Sequence, residues 1–156
     1  MISLTIRQYK ATDKKAVFDL HVRALEDIGA HIYTGKWEKD FDDIEGIYLN
    51  NRGEFLVGAI GEKIVAEGGL RKMTDDIVEV RRMRIDPDFQ RQGLGQMILD
   101  ALEKRSKELG YKIIQLNTSA IQIPAQKFYE KNGYKEIGRE KEGWVVDNII
   151  YQKGIK

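Results

Sequence analysis

The run Gln90-Arg91-Gln92-Gly93-Leu94-Gly95 has the composition of an anion-binding turn. Two glycines allow close approach to the backbone, and Arg91 adds a positive charge beside it. If a helix follows, its first amide N–H groups have no intrahelical acceptors, and its dipole favours a negative ligand. The combination makes a phosphate cradle on a helix N-terminus. Two familiar phosphate loops do not fit. A P-loop ends in Gly-Lys-Ser/Thr, whereas Gly95 is followed by Gln96; a dinucleotide fingerprint needs a small third residue where Ile98 stands. On these residues alone, the turn could equally be a tight strand-to-helix corner whose glycines serve packing.

The flanking residues supply the elements that would position such a turn. Upstream, Ile77-Val78-Glu79-Val80-Arg81-Arg82-Met83-Arg84-Ile85 largely alternates apolar and charged side chains, as a half-buried strand does. Asp86-Pro87-Asp88 ends it, because proline donates no N–H and restricts the residue before it. Downstream, Leu94, Met97, Ile98, Ala101, Leu102 and Leu109 share a helical face, and Gly110 supplies the stop. The remaining pattern predicts strands over Leu4–Tyr9, Glu54–Ile60, Lys63–Lys72, Ile113–Asn117, Tyr134–Glu140 and Trp144–Lys153. It predicts helices with the apolar face Val17, Leu20, Ala24, Leu25 and Ile28, over Asp43–Asn50, and over Pro124–Asn132. Gly61-Glu62 and Lys141-Glu142-Gly143 read as hairpin corners. Strands mixed with helices on one chain argue for an α/β (α+β) mixed sheet covered on both faces.

At 156 residues the chain has the length of one domain, 1–156, able to bury a real core. A net charge of +1, from 26 basic and 25 acidic residues, does not mark the whole chain for nucleic acid. Cysteine is absent, which removes disulfides, thiolate metal ligands and thiol nucleophiles. No apolar run approaches the roughly 18 residues of a membrane span, and no signal-peptide pattern opens the chain. The expectation is a cytoplasmic protein with neither nucleic-acid nor membrane partner and no metal.

A second block refines the phosphate reading. Asn117 is followed by Ile123-Pro124-Ala125-Gln126-Lys127-Phe128-Tyr129-Glu130-Lys131-Asn132-Gly133-Tyr134. A strand ending in Asn, a short helix carrying Phe-Tyr and a Gly-aromatic step, placed after a strand and Arg/Gln-x-x-Gly-x-Gly, resembles the GNAT N-acetyltransferase superfamily. The resemblance runs from Ile2 to about Lys153, with both motifs in the family's order and spacing. It implies the GNAT-type acyl-CoA N-acyltransferase fold, acetyl-CoA as acyl donor, and transfer to a primary amine. It assigns donor binding to Met83, Arg84, Ile85, Gln90, Arg91, Gln92, Gly93, Leu94, Gly95, Gln96, Asn117 and Gln126. The pyrophosphate would sit on the glycine turn and the pantetheine arm on the backbone of Met83 and Ile85, where their strand splays from its neighbour. A backbone N–H near Met83 would suit a developing oxyanion. A homodimer is implied by family habit.

Two side chains then become candidates for proton transfer. Glu79 stands four residues before Met83 and six before Ile85, which puts it on the face of Ile85 by alternation, and is the candidate base. It could instead pair with Arg81 or Arg71 across strands. Tyr129 is the candidate acid for the departing thiolate; Phe128 and Tyr129 are adjacent on a helix, so only one is obliged to be core. His21 and His31 are poorer candidates, being placed on a first helix and in a loop. The resemblance puts the acceptor groove near Tyr33 and Trp37, with Phe41, Tyr48 and Trp144 as further walls. Glu38, Asp40, Asp42, Asp43 and Glu45 could steer a cationic amine or simply be solvated acids. Without cysteine, the acyl group has no thiol to rest on, so direct transfer in a ternary complex is expected. Two other function classes compete. One is a non-catalytic acyl-CoA sensor. The other is a nucleic-acid or phosphopeptide binder using Arg81, Arg82, Arg84 and Arg91, which balanced net charge disfavours and strand alternation would divide between faces.

Overall fold

The computed structural model describes residues 3–29, 36–141 and 147–155. Runs of branched and aromatic residues, cut by glycine and aspartate corners, form seven strands: β1 (Thr5–Gln8), β2 (Glu54–Ile60), β3 (Lys63–Lys72), β4 (Ile77–Ile85), β5 (Ile113–Ser119), β6 (Lys135–Glu140) and β7 (Asn148–Gly154). They join one sheet in the order β1-β2-β3-β4-β5-β7-β6. All neighbours are antiparallel except β4 and β5, which run parallel. A parallel pair needs a crossover, and α2 (Leu94–Glu108) supplies it. The bounds of β2, β3 and β4 are those the alternation predicts, with Gly61 at φ +61 in the corner between β2 and β3.

The sheet carries a core on each face. On one, Ile98, Leu99 and Leu102 of α2 pack over Leu70, Val78, Val80, Ile114 and Leu116. Phe128 and Tyr129 of α3 (Ile123–Lys131) lean on the same cluster. On the other, α1 (Lys14–Asp27) sets Val17 against Phe41, Ile44, Tyr48, Phe55 and Val57. Each such full burial contributes roughly 1.5–3 kcal/mol. Two positions depart from the predicted faces. Met97 is 41% exposed and Ile28 49%. Leu99 takes the buried place beside Ile98, and Ile28 falls one residue past the end of α1.

The predicted helix over Asp43–Asn50 is shorter and wider than expected. Lys36–Asp42 forms a 3-10 helix, and Glu45–Leu49 one π turn closed by Asn50 N–H to Glu45 C=O at 2.7 Å. Polar bonds to side chains compete with the regular ladder here. Asp43 Oδ1 accepts the Gly46 N–H at 3.0 Å, and the Tyr48 hydroxyl donates to Asp40 at 2.5 Å.

Asp40 also takes a two-pronged ion pair from Arg82, at 2.9 and 2.7 Å. Burial pushes the Asp40 carboxyl up, but the hydrogen bond and charge of Arg82 and the Tyr48 hydroxyl outweigh it and hold the group at about 2. Because an unfolded aspartate titrates near 4, the pair's contribution is complete above about pH 4 and is lost as pH falls toward 2. That contribution is on the order of 2 kcal/mol. Urea midpoints between about pH 5 and pH 2.5 should therefore fall more steeply for the native chain than for Asp40→Asn, which is weaker throughout. Parallel curves would contradict this coupling.

The cleft between two parting strands as a candidate active site

β4 and β5 stay paired only through Ile77–Ile113, Val78–Ile114 and Glu79–Gln115. Beyond Glu79 they part, as expected, and backbone amides and carbonyls of both strands are left without a mutual partner. Such an unpaired edge is ready to receive an extended, amide-bearing ligand. Two adjoining cavities of about 240 and 250 Å3 occupy the gap and share Met83, Arg84, Asn117, Tyr129 and Asn148 as walls. Asn117 lies on both, and β5 continues two residues past it, to Ser119, rather than ending there.

One cause of the parting is a bulge in β4. Gly69 pairs with Arg81 and Glu67 with Arg84, so β4 spends three steps where β3 spends two. Arg82 absorbs the extra residue at φ +57, an uncommon conformation for a non-glycine residue. The bulge inverts the alternation. Val78 and Val80 face α2 before it; Met83 and Ile85 face α2 after it, packed on the same core cluster. Glu79 therefore does not share the face of Ile85, contrary to the unbroken alternation assumed from sequence. It also means that Arg81, Arg82 and Arg84 are not divided between faces in the way expected: all three line one cavity.

Glu79 is 8% exposed and lines that cavity. Arg71 donates to its Oε1 at 2.8 Å, and Arg81 Nε stands 3.5 Å from the same oxygen. The cross-strand pairing and the cleft position thus hold together. Across the gap, Tyr129 reaches in from α3. Its hydroxyl donates to the Met83 sulfur at 3.7 Å. Its ring meets Phe128 and Tyr134 edge-on at 5.3 and 5.9 Å. Burial raises the Tyr129 pKa, opposed by the nearby Arg84 charge, so the phenol stays protonated well past neutral pH.

The glycine turn forms at the mouth of this cleft. Asp86 Oδ1 accepts the Asp88 N–H at 2.9 Å, and Arg23 of α1 clamps Asp86 at 2.7 and 3.2 Å, which fixes where β4 ends. Gln90 is extended, and Arg91 and Gly93 are left-handed at φ +63 and +81. Met97 N–H bonds Gly93 C=O at 3.2 Å, leaving the amides of Leu94, Gly95 and Gln96 at the open end of α2. Gly93 is thus required by backbone conformation. Gly95 is not: a Cβ there would meet only Met83, Ile85 and Phe128 side chains at 3.8–3.9 Å, ordinary contact. Packing does not ask for glycine at this position, whereas close approach of a ligand to the helix end does.

Several sequence expectations shift. The Gln96 side chain donates to Asn132 at 2.7 Å, tying α2 to α3, so only its backbone is left for a ligand. Gln126 donates to the Ser119 carbonyl at 3.1 Å and lines neither cavity. Phe41 and Tyr48 are core. Of the acids, Glu38 holds buried His21 at 2.6 Å, Asp40 holds Arg82, and Asp43 caps Gly46. Glu38 and Asp40 face inward rather than steering a cation, whereas Asp43 is exposed and its carboxylate is spent on the turn. Tyr33, His31, Trp144 and the side chain of Trp37 lie outside the described residues. Sequence reasoning missed Asn148, which arrives from β7, and Glu67, and it named Arg71 of β3 only as a cross-strand partner for Glu79. Glu67 is fully buried and feels the charge of Arg84, and both its carboxyl oxygens lack a hydrogen-bond partner among the described residues. Among the described residues no cluster of His, Asp and Glu is arranged to hold a metal. No helix among them is long and apolar enough to cross a membrane.

Comparison with known proteins places these features in context. The model of the acetyltransferase (GNAT) family matches residues 16–134. An N-acetylaspartate synthetase of Xenopus tropicalis is 32% identical over 101 residues, covering 64% of this chain and 37% of that protein. The chain spans about half or less of the length of the curated relatives it matches. A GNAT-family acetyltransferase from Staphylococcus aureus Mu50 superposes with a TM-score of 0.88 at 25% identity, covering 99% of this chain and 100% of that one. The PaiA N-acetyltransferase of Thermoplasma acidophilum, solved with coenzyme A, shares the fold, with a TM-score of 0.80 at 18% identity over 99% of this chain and 100% of that one.

Proposed function

The chain belongs to the acetyltransferase (GNAT) family, and from that premise we propose that it moves an acetyl group from acetyl-CoA directly to the primary amine of an acceptor, as one catalytic domain. The observation that carries this reading is the parting of β4 from β5 after Glu79, which leaves a gap with a carboxylate on one wall and a protonated phenol on the other. The donor fits the residues present. Leu94, Gly95 and Gln96 offer amides at a helix start with no Cβ at Gly95, Arg91 stands beside them, and the pantetheine arm has the unpaired backbone near Met83 and Ile85 and the side chain of Asn117. When bound, acetyl-CoA supplies an acyl group activated as a thioester.

Transfer forms a bond from the amine nitrogen to the acyl carbon and breaks the carbon–sulfur bond. One proton must leave the nitrogen and one must reach the sulfur. A primary ammonium with a pKa near 10 is mostly protonated at neutral pH, so a base is needed. Glu79 takes that proton, directly or through water. Tyr129, whose hydroxyl in this structure already donates to a sulfur atom, returns one to the thiolate. The backbone N–H of Met83, next to the bulge, faces the negative charge that develops on the carbonyl oxygen.

Glu79 has two roles to separate, as base and as partner of Arg71. Glu79→Gln keeps the shape and an acceptor oxygen for Arg71 but cannot take a proton. It should lower kcat about 10²-fold with little change in thermal midpoint, and rising pH, which deprotonates the free amine, should recover part of the loss. A lowered midpoint with unchanged kcat would leave Glu79 as a structural partner only. The general test is thiol release from acetyl-CoA over a panel of amines, followed with a disulfide reagent. The absence of cysteine makes the protein itself silent in that assay. Release that depends on added amine supports acetyl transfer; tight donor binding with no release from any amine would instead indicate an acyl-CoA sensor.

A further inference from the structure

A charge imbalance lies in the cleft. Four arginines, Arg71, Arg81, Arg82 and Arg84, line the cavity against a single acidic lining residue, Glu79. Two are already satisfied. Arg82 is gripped by Asp40 and lies over the Phe41 ring at 5.2 Å, and Arg71 is held by Glu79. Arg81 reaches Glu79 only at 3.5 Å. Arg84 spends one nitrogen on the Met83 carbonyl at 3.0 Å, and its Nε is buried with no partner among the described residues. Glu67 lies close enough to act on Arg84, yet burial drives its carboxyl well upward and so favours the neutral form. Even an ionised Glu67 would leave the cleft positive.

Holding uncompensated guanidinium groups at low exposure is unfavourable unless an anion joins them. The donor's pyrophosphate does not meet that need, because the turn built for it, Gln90–Gly95, lines neither cavity. The pantetheine arm is uncharged. The remaining reactant is the acceptor. We propose that the acceptor amine carries its own carboxylate, which Arg81 and Arg84 bind while the amine faces Glu79. This rests on the acetyltransferase reading above. The planar guanidinium fork matches a carboxylate in two-pronged geometry, and a cavity of about 240 Å3 suits a small acidic amine or the first residue of a chain. The same chemistry could come from a free amino acid or from a peptide whose first side chain is acidic.

The test compares matched acceptors with the intact protein and acetyl-CoA. The first set holds a free amino acid, its carboxamide and its decarboxylated amine. A second set holds short amidated peptides beginning with Asp or Asn. The expected result is that carboxylate-bearing members exceed their neutral counterparts in kcat/KM by about 10- to 100-fold in at least one set, and the set identifies the source. Arg81→Gln should raise KM for the preferred acidic acceptor by a similar factor. It should raise KM for the carboxamide by a clearly smaller factor, with donor affinity by calorimetry unchanged. Thiol release that favours the neutral or decarboxylated amines would overturn the carboxylate proposal and leave acetyl transfer standing. No release with any amine, despite measurable donor binding, would overturn both.

Discussion

Tyr129→Phe is expected to lower kcat by about 10²- to 10³-fold while the dissociation constant for acetyl-CoA moves by less than about threefold. The substitution removes one hydroxyl. The ring keeps its edge contacts with Phe128 and Tyr134, so the α3 packing that shapes the cleft survives. What disappears is the proton source on that wall of the cleft. The hydroxyl points at a sulfur atom, and burial keeps it protonated across the working pH range. A thiol such as that of the leaving group has a free pKa of about 8.5, so an unassisted thiolate can leave, though more slowly. Acceptor chemistry therefore persists at a reduced rate rather than vanishing. If donor affinity and kcat fell together, Tyr129 would be a shaping residue and not the acid.

Gly95→Val should weaken acetyl-CoA binding by about 100-fold or more, with a thermal midpoint close to that of the native chain. The valine side chain projects from the second residue of α2. There its Cβ meets existing side chains at ordinary distance and its bulk occupies the approach to the Leu94, Gly95 and Gln96 amides. Charge-assisted hydrogen bonds of this kind are worth roughly 1.5–3 kcal/mol each, so losing two accounts for that factor. Gly93 is the contrasting control. At φ +81 any other residue is strained, and Gly93→Val is expected to cost stability, by roughly 1–2 kcal/mol, as well as affinity. Unchanged donor affinity in Gly95→Val would remove the pyrophosphate from this helix end.

Much of this site is written locally in the chain. The glycine turn, the proline that ends β4, Asn117 at the cleft wall and the Phe128-Tyr129 pair are each set by neighbouring residues, as are the bounds of β2, β3 and β4. What escaped depends on pairing across the sheet. Nothing around Arg82 marks a bulge, because the extra residue is defined only against β3. That single step moved Glu79 off the face of Ile85 and gathered Arg81, Arg82 and Arg84 in one cavity. The acids Glu38 and Asp40 looked solvated because their partners, His21 and Arg82, are 17 and 42 residues away. The side chains of Gln96 and Gln126 sit at motif positions, yet packing spends them on Asn132 and Ser119. Glu67 gave no signal at all: one acidic residue in the middle of a strand whose other central residues are apolar or glycine reads as an outward-facing one, and here it is enclosed.

The most direct measurement follows a label on the acetyl group through a single turnover, with enzyme in excess over donor and an amine from the preferred set present. The expected result is label passing from the donor to the amine nitrogen, one acetyl per thiol released, with none on the protein at any time. Label retained on the donor with every amine, or found on the polypeptide before it reaches the amine, would contradict direct transfer between Glu79 and Tyr129.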